Sequence, residues 1–209
     1  MVYYSQAWQD EFVANILNFK KNGYFIDIGS SDGINQSNSY FFESELKWQG
    51  ICVEMGPGYT EHYKNNRSCI FLNEDATQVN YKKILSKECF PKQIDYLSVD
   101  IDENSMKALN VLPFDEYKFS VMTIEGDAYR LGDTMKNQER ELLRFHGYYL
   151  LFSIFVPLGC GSGPNLPFED WWIDPKMFNM KKISALAAEN IYPDDVIALL
   201  KQKKDNYLI

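Results

Sequence analysis

The chain has 209 residues, 45% of them hydrophobic and 24% charged, which excludes a disordered or fibrous class and suits one folded domain. A formal net charge of −8 and an isoelectric point near 4.8 argue against a nucleic-acid backbone as partner. The four cysteines, Cys52, Cys69, Cys89 and Cys160, have no C-x-x-C spacing and read as reduced thiols. With no signal-like N-terminus and no apolar run of about 18 residues, the expectation is a cytoplasmic protein without a membrane span.

Residues 5–20 place Trp8, Phe12, Val13, Ile16 and Leu17 at helical spacing, within an N-terminal helical segment over 1–22. Tyr24 to Ile28 is a short apolar run entering a turn rich in glycine, the pattern of a buried strand. A helix is predicted from Ser37 or Asn38 toward Trp48, both starting residues being good caps. Strands follow at Gly50–Glu54, Cys69–Leu72, Ile94–Ile101, Phe119–Ile124 and Tyr148–Val156, with helical stretches between them. Residues 159–175 look like a loop and a possible substrate lid, with a final strand at Phe168–Ile173, and residues 183–203 look helical. Strands alternating with helices imply a doubly wound, parallel α/β sheet in a single domain over 1–209.

Ligands of such sheets bind beyond the carboxyl ends of the strands, and the chemistry of this chain collects there. The first strand runs into Asp27-Ile28-Gly29-Ser30-Ser31-Asp32-Gly33, a D-x-G-x-x-x-G turn in place of the G-x-G-x-x-G of dinucleotide folds. Glycine lets backbone approach a ligand closely, and a nearby Asp suits a ligand carrying an ammonium and a sulfonium. Glu54 ends the second strand about 20 residues after Gly33, where a carboxylate can accept both hydroxyls of a ribose. Asp75 and Ala76 follow the third strand, placed to meet an adenine edge and face.

With these residues the sequence resembles the FkbM-type S-adenosylmethionine-dependent methyltransferases. The matching stretches are Tyr24 to Gly29 with Asp32-Gly33, Ser37-Asn38-Ser39-Tyr40 with Glu43, and Trp48-Gln49-Gly50-Ile51 through Glu54. They continue with Ile94 to Asp102, then Thr123-Ile124-Glu125 and Phe168-Glu169-Asp170-Trp171-Trp172, spanning roughly residues 5–175. The resemblance implies a Rossmann-like class I methyltransferase fold, a mostly parallel seven-stranded sheet with helices on both faces. It also implies S-adenosylmethionine as cofactor and O-methylation of a sugar, glycan or related small molecule. Asp27, Gly29, Ser30, Asp32, Gly33, Ser37, Asn38, Glu54, Asp75, Ala76 and Asp100 are the expected cofactor residues. Glu103 stands where such proteins often have Gly, which leaves the aim of Asp102 open.

Methylating a hydroxyl requires the oxygen to lose a proton. An alcohol's pKa is about 15.7 and a carboxylate's about 4, so full transfer beforehand is uphill by on the order of 16 kcal/mol. Either the proton leaves late or a metal acidifies the hydroxyl. Asp100 and Asp102 end the fourth strand, and Glu125 and Asp127 end the fifth. The expectation is Asp100, Glu125 and Asp127 around Mg²⁺ or Mn²⁺, with Asp102 as general base and Asp100 counted among the catalytic residues. An acidic pair after the fourth strand resembles the metal-dependent sugar O-methyltransferases. Without a metal, these carboxylates cap loops or bind the cofactor's ammonium. Glu169 and Asp170 are candidates for binding acceptor hydroxyls, while Trp171 and Trp172 either stack on a sugar face or fill the core. His146 and His62 read as capping or packing groups, and Cys160 as chance placement. A non-catalytic cofactor-binding domain of a larger assembly is the alternative, and the sequence is compatible with one piece of a longer multidomain enzyme. An NAD-linked Rossmann enzyme is disfavoured by the missing G-x-G-x-x-G.

Overall fold

The computed structural model describes residues 1–126, 132–157, 165–203 and 206–209. In chain order the elements are α1 (Gln9–Ile16), β1 (Tyr24–Ile28), α2 (Tyr40–Leu46), β2 (Gln49–Val53), α3 (Tyr59–Asn66), β3 (Ile70–Leu72), α4 (Tyr81–Lys87) and β4 (Gln93–Val99). A 3₁₀ turn (Asp102–Asn104) then leads to α5 (Ser105–Val111), β5 (Lys118–Glu125), α6 (Asp133–Phe145), β6 (Tyr149–Pro157), β7 (Asn165–Ile173), α7 (Met180–Ile183), β8 (Ala188–Ile191) and α8 (Pro193–Lys203).

The strands form one sheet in the order β3-β2-β1-β4-β5-β7-β6-β8. Strands β3, β2, β1, β4 and β5 pair parallel, β7 runs antiparallel between β5 and β6, and β8 pairs parallel with β6. The near-continuous apolar runs of β1, β2 and β4 are buried on both faces, as central parallel strands require. One apolar layer lies under α1, α2 and α8, around Phe12, Phe42, Tyr96 and Trp171. The other holds Ile26, Leu97, Leu109, Met122 and Trp172. Among the described residues no helix is long and apolar enough to cross a membrane.

Several expectations change. The sheet has eight strands rather than seven. The residues expected to form one helix over 183–203 break instead into the end of α7, β8 and α8. Ala187 is extended and Ala188 pairs with Phe152, while Pro193 sits at the first position of α8, where its missing N–H costs nothing. The first helix shortens to Gln9–Ile16, because Asp10 ties the preceding segment down. Its carboxylate accepts from Tyr4 N at 2.6 Å, Ser5 N at 3.2 Å and Ser5 Oγ at 2.5 Å. Helix α2 starts at Tyr40, after Ser37 Oγ has accepted from the amides of Ser39 and Tyr40 in a turn of its own.

The expected lid over 159–175 changes most. Its final strand, expected at Phe168–Ile173, is present as β7 from Asn165 and lies inside the sheet, while residues 158–164, Cys160 among them, lie outside the described residues. Trp171 and Trp172 face opposite sides of the sheet at 0% and 1% exposure, so neither stacks on a substrate. Trp171 lies against Phe12, with ring centroids 4.3 Å apart and planes 20° from parallel. Asp170 is not a free acceptor of substrate hydroxyls either. It holds Arg140 through two bonds of 2.6 and 2.8 Å, and Arg140 continues to Ser153 Oγ at 2.9 Å.

Candidate functional site

The carboxyl ends of β1, β2, β3 and β4 open on two cavities that share Gly29 and Asp100. The larger, about 270 Å³, is lined by Gly29, Glu54, Asp75, Ala76, Asp100 and Asp102 among others. The smaller, about 70 Å³, is lined by Gln6, Asp27, Ser30, Ser31, Asn38 and Asp100 among others. They make one groove across the switch between β1 and β4, where open α/β sheets bind ligands.

The groove exists because of the turn after β1. Gly29 has φ of +84°, and a Cβ there would sit 1.7 Å from the Asp100 carbonyl oxygen, so only glycine lets the β1 and β4 ends lie this close. Ser31, Gln36 and Asp102 also adopt positive φ, at 48°, 57° and 53°.

Asp27 is wholly buried beneath the smaller cavity. Its Oδ2 accepts from Ser39 Oγ at 2.6 Å. Burial pushes the carboxyl up to about 6, against the bond from Ser39 and the charge of Arg67, with Asp100 adding to the rise. Asn38 is 7% exposed and donates to Ser98 Oγ at 2.9 Å, while its Oδ1 is buried with no hydrogen-bond partner. A buried acceptor left this way is costly unless a ligand brings the donor.

At the other end Glu54 accepts from Ser31 N at 3.0 Å and Gly56 N at 2.7 Å, which fixes its carboxylate at the cavity edge. Asp75 accepts from Thr77 N and Thr77 Oγ1, and these bonds hold it below the usual carboxylate range. Ala76 is buried and contributes the apolar wall expected for a planar base. Asp32 departs from its expected role. Although partial burial opposes it, bonds from Asn35 and Ile34 hold its carboxylate low, and both oxygens are used inside the turn. Ser37 likewise serves the turn before α2, though it lines the smaller cavity.

Asp102 is exposed and stands on the wall of the larger cavity beside Asp75, while Asp100 alone of the two reaches both cavities. Among the described residues no group of three or more His, Cys, Asp or Glu comes together that could hold a metal ion. Asp127, the third expected ligand, lies outside the described residues. Asp100 and Glu125 are therefore two carboxylates of neighbouring strands without an assembled cage.

Glu169 is cross-strand from Glu125 and 5% exposed. It accepts from Trp171 Nε1 at 2.7 Å and is bonded by Gln9. Burial, aided by the charge of Asp100, pushes it up to about 8. It borders a space of about 10 Å³ with Gly126, Lys136 and Glu139, room for about one water. His146 lies at the opposite end of the strands, stacked on Phe114 with centroids 4.9 Å apart. Burial and then Lys118 lower its pKa, against Asp115. His62 sits in α3 and lines neither cavity.

Sequence motifs did not reveal Gln6, Gln36, Tyr63 or Arg67. Gln6 and Gln36 meet at the smaller cavity because Ser5 and Gln36 form a bridge, and no spacing rule links them. Tyr63 hydroxyl donates to Ser30, with its ring under Gly33.

No family model matches the chain, and no curated protein matches it. Solved structures do. A protein from Listeria monocytogenes assigned to the class I S-adenosylmethionine-dependent methyltransferases is 9% identical, over 94% of this chain and 68% of that one, with a TM-score of 0.58. Trm5b from Pyrococcus abyssi is 11% identical over 82% of this chain and 50% of its own, with a TM-score of 0.52. A precorrin-6y C5,15-methyltransferase from Geobacter metallireducens GS-15 is 14% identical over 78% and 86%, with a TM-score of 0.50. The chain has the Rossmann-like fold of class I methyltransferases.

Proposed function

We propose that this chain binds S-adenosylmethionine and transfers its methyl group to a hydroxyl oxygen of a sugar, glycan or related small molecule. The observation that carries the reading is the charge of the groove. Asp27, Asp100, Asp102, Glu54, Glu74 and Asp75 line it, and Asn38 adds a buried acceptor without a donor. Walls of this sign repel a pyrophosphate and favour a ligand that carries a sulfonium and an ammonium. Asp27 and the Asn38 Oδ1 would receive the ammonium, Glu54 the ribose hydroxyls, and Asp75 with Ala76 the adenine.

When bound, S-adenosylmethionine supplies an electrophilic methyl carbon on a sulfonium that leaves as a neutral thioether. In this reading Asp100, which lines both cavities, takes the acceptor's proton. It acts as the new bond forms, because removing the proton first costs on the order of 16 kcal/mol. Asp102 then belongs to the adenosine side of the groove. The acidic surface, net −8, supports a neutral acceptor over a nucleic acid.

Calorimetry with S-adenosylhomocysteine tests the cofactor. Binding is expected, weakened about tenfold by Asn38→Leu, since a lost charge-assisted bond is worth about 1.5 kcal/mol or more. Tight binding of NAD⁺ with none of S-adenosylhomocysteine would sink the reading. Turnover with a panel of methyl glycosides and polyols, followed by a mass gain of one methylene, tests the acceptor. Cofactor binding without methylation of any hydroxyl would leave a cofactor-binding module instead.

A further inference from the structure

The glycine turn is held from below by a side chain that no motif marks. Arg67 ends α3, and its side chain has 0% exposure. Each arm of the guanidinium has a different task. Nε donates to Glu43 Oε2 at 3.1 Å, one terminal nitrogen to the Gly33 carbonyl, and the other to Ser39 Oγ at 3.1 Å. Ser39 Oγ passes its own proton toward Asp27 Oδ2 at 2.6 Å. The plane lies 5.3 Å from the Tyr40 ring centroid, 5.7 Å from Tyr63 and 5.9 Å from Phe25, so it cannot turn freely. Glu43 is fixed in turn by Ser68 N at 2.7 Å.

An ion pair that only joined α2 to α3 would need Glu43 alone. Two of the three arms instead reach the β1–α2 loop, at the end of the glycine turn and at the hydroxyl that orients Asp27. We propose that Arg67 is a positioning residue for the cofactor, holding the Gly33 carbonyl and, through Ser39, the Asp27 carboxylate in the geometry that receives the ligand's ammonium. The inference rests on the cofactor reading above and adds a residue to it.

Lysine cannot replace this fork, because one ammonium does not span three fixed acceptors in different directions. The guanidinium also opposes the burial that raises Asp27. The other titratable groups around Asp27 are Asp100 beyond β4, Tyr96 on β4, Tyr63 on α3 and its register partner Cys52 on β2. None of these is a cation. Removing Arg67 therefore leaves Asp27 harder to ionise.

The test uses the whole chain and S-adenosylhomocysteine as probe. Arg67→Met alone strands Glu43 and can fail to fold. The double variant Glu43→Gln with Arg67→Met removes both charges and keeps an acceptor for Ser68 N. It is expected to melt cooperatively, to bind the probe about tenfold or more weakly, and to lose affinity on acidification at a higher pH than the parent. Arg67→Lys is expected to weaken binding while keeping the parent's pH midpoint, since the charge remains. A folded double variant with parental affinity and parental pH profile overturns the proposal. Failure of the parent chain to bind the probe at all would instead overturn the cofactor reading.

Discussion

The two halves of the sheet handle charge in opposite ways. Around β1, β2 and β4, acidic groups border cavities: Asp27, buried, under the smaller one, Glu54 at the edge of the larger and Asp100 at both, and Asn38 keeps a buried oxygen without a partner. Around β5, β7 and β6, acidic groups are closed off by the protein itself. Asp170 is taken by Arg140, and Glu169 by Trp171 and Gln9. Parallel strand ends leave their loops to a ligand, whereas the antiparallel β7 brings its Glu-Asp-Trp-Trp run back through the interior. The first half leaves cavities at its strand ends, and the second pairs its acids within the protein.

The largest expected effect breaks the binding half. Gly29→Ala would drive a methyl into the Asp100 carbonyl and should lower affinity for S-adenosylhomocysteine by about a hundredfold or more. Calorimetry checks it, and wild-type affinity would mean that the turn does not shape the site. Trp171→Ala should do the reverse. It empties the core against Phe12 and should cost about 3–5 kcal/mol in denaturant unfolding, with probe affinity of the folded fraction within about twofold. A large affinity loss would move Trp171 into the site.

Acidity sharpens the contrast. Burial pushes Asp27's carboxyl up to about 6, so a fall in pH through that range removes the negative charge proposed to meet the ammonium. Probe affinity should fall about tenfold between about pH 7 and about pH 5. A flat profile would assign the ammonium elsewhere. Glu169 affects stability through the same linkage. Its folded pKa, about 8, lies above the ordinary 4.5, so its stabilising contribution is full below 4.5 and lost as pH rises through 8. Glu169→Gln should therefore gain stability relative to the parent between about pH 6 and about pH 9. Equal midpoints at both would show that Glu169 is solvated. The smallest effect is that of chelation. Affinity for the probe should be unchanged by EDTA, and loss of binding would restore the metal expected at Asp100, Glu125 and Asp127.

Much of the binding half was legible because local rules suffice there. An apolar run ending in D-x-G-x-x-x-G, and acidic residues at later strand ends, follow from strand burial and the placement of ligands at carboxyl ends. Less of the other half was legible. Strands at Phe119–Ile124, Tyr148–Val156 and Phe168–Ile173 were expected, but only the antiparallel pairing with β5 and β6 puts Phe168–Ile173 in the sheet interior rather than in a lid. Residues 188–191 carry no alternation, yet they close the sheet because β6 offers a free edge.

By itself the sequence determined the strand–helix alternation, the glycine turn and the acidic strand ends, since each depends on residues near in the chain. Tertiary structure decided which carboxylates stay open and which are consumed. That choice depends on partners such as Arg140 for Asp170, 30 positions away, and Arg67 for Ser39 and Gly33 of the loop above Asp27, 28 and 34 positions away along the chain. Distant groups meet only when the whole sheet has formed, and no local spacing encodes their meeting.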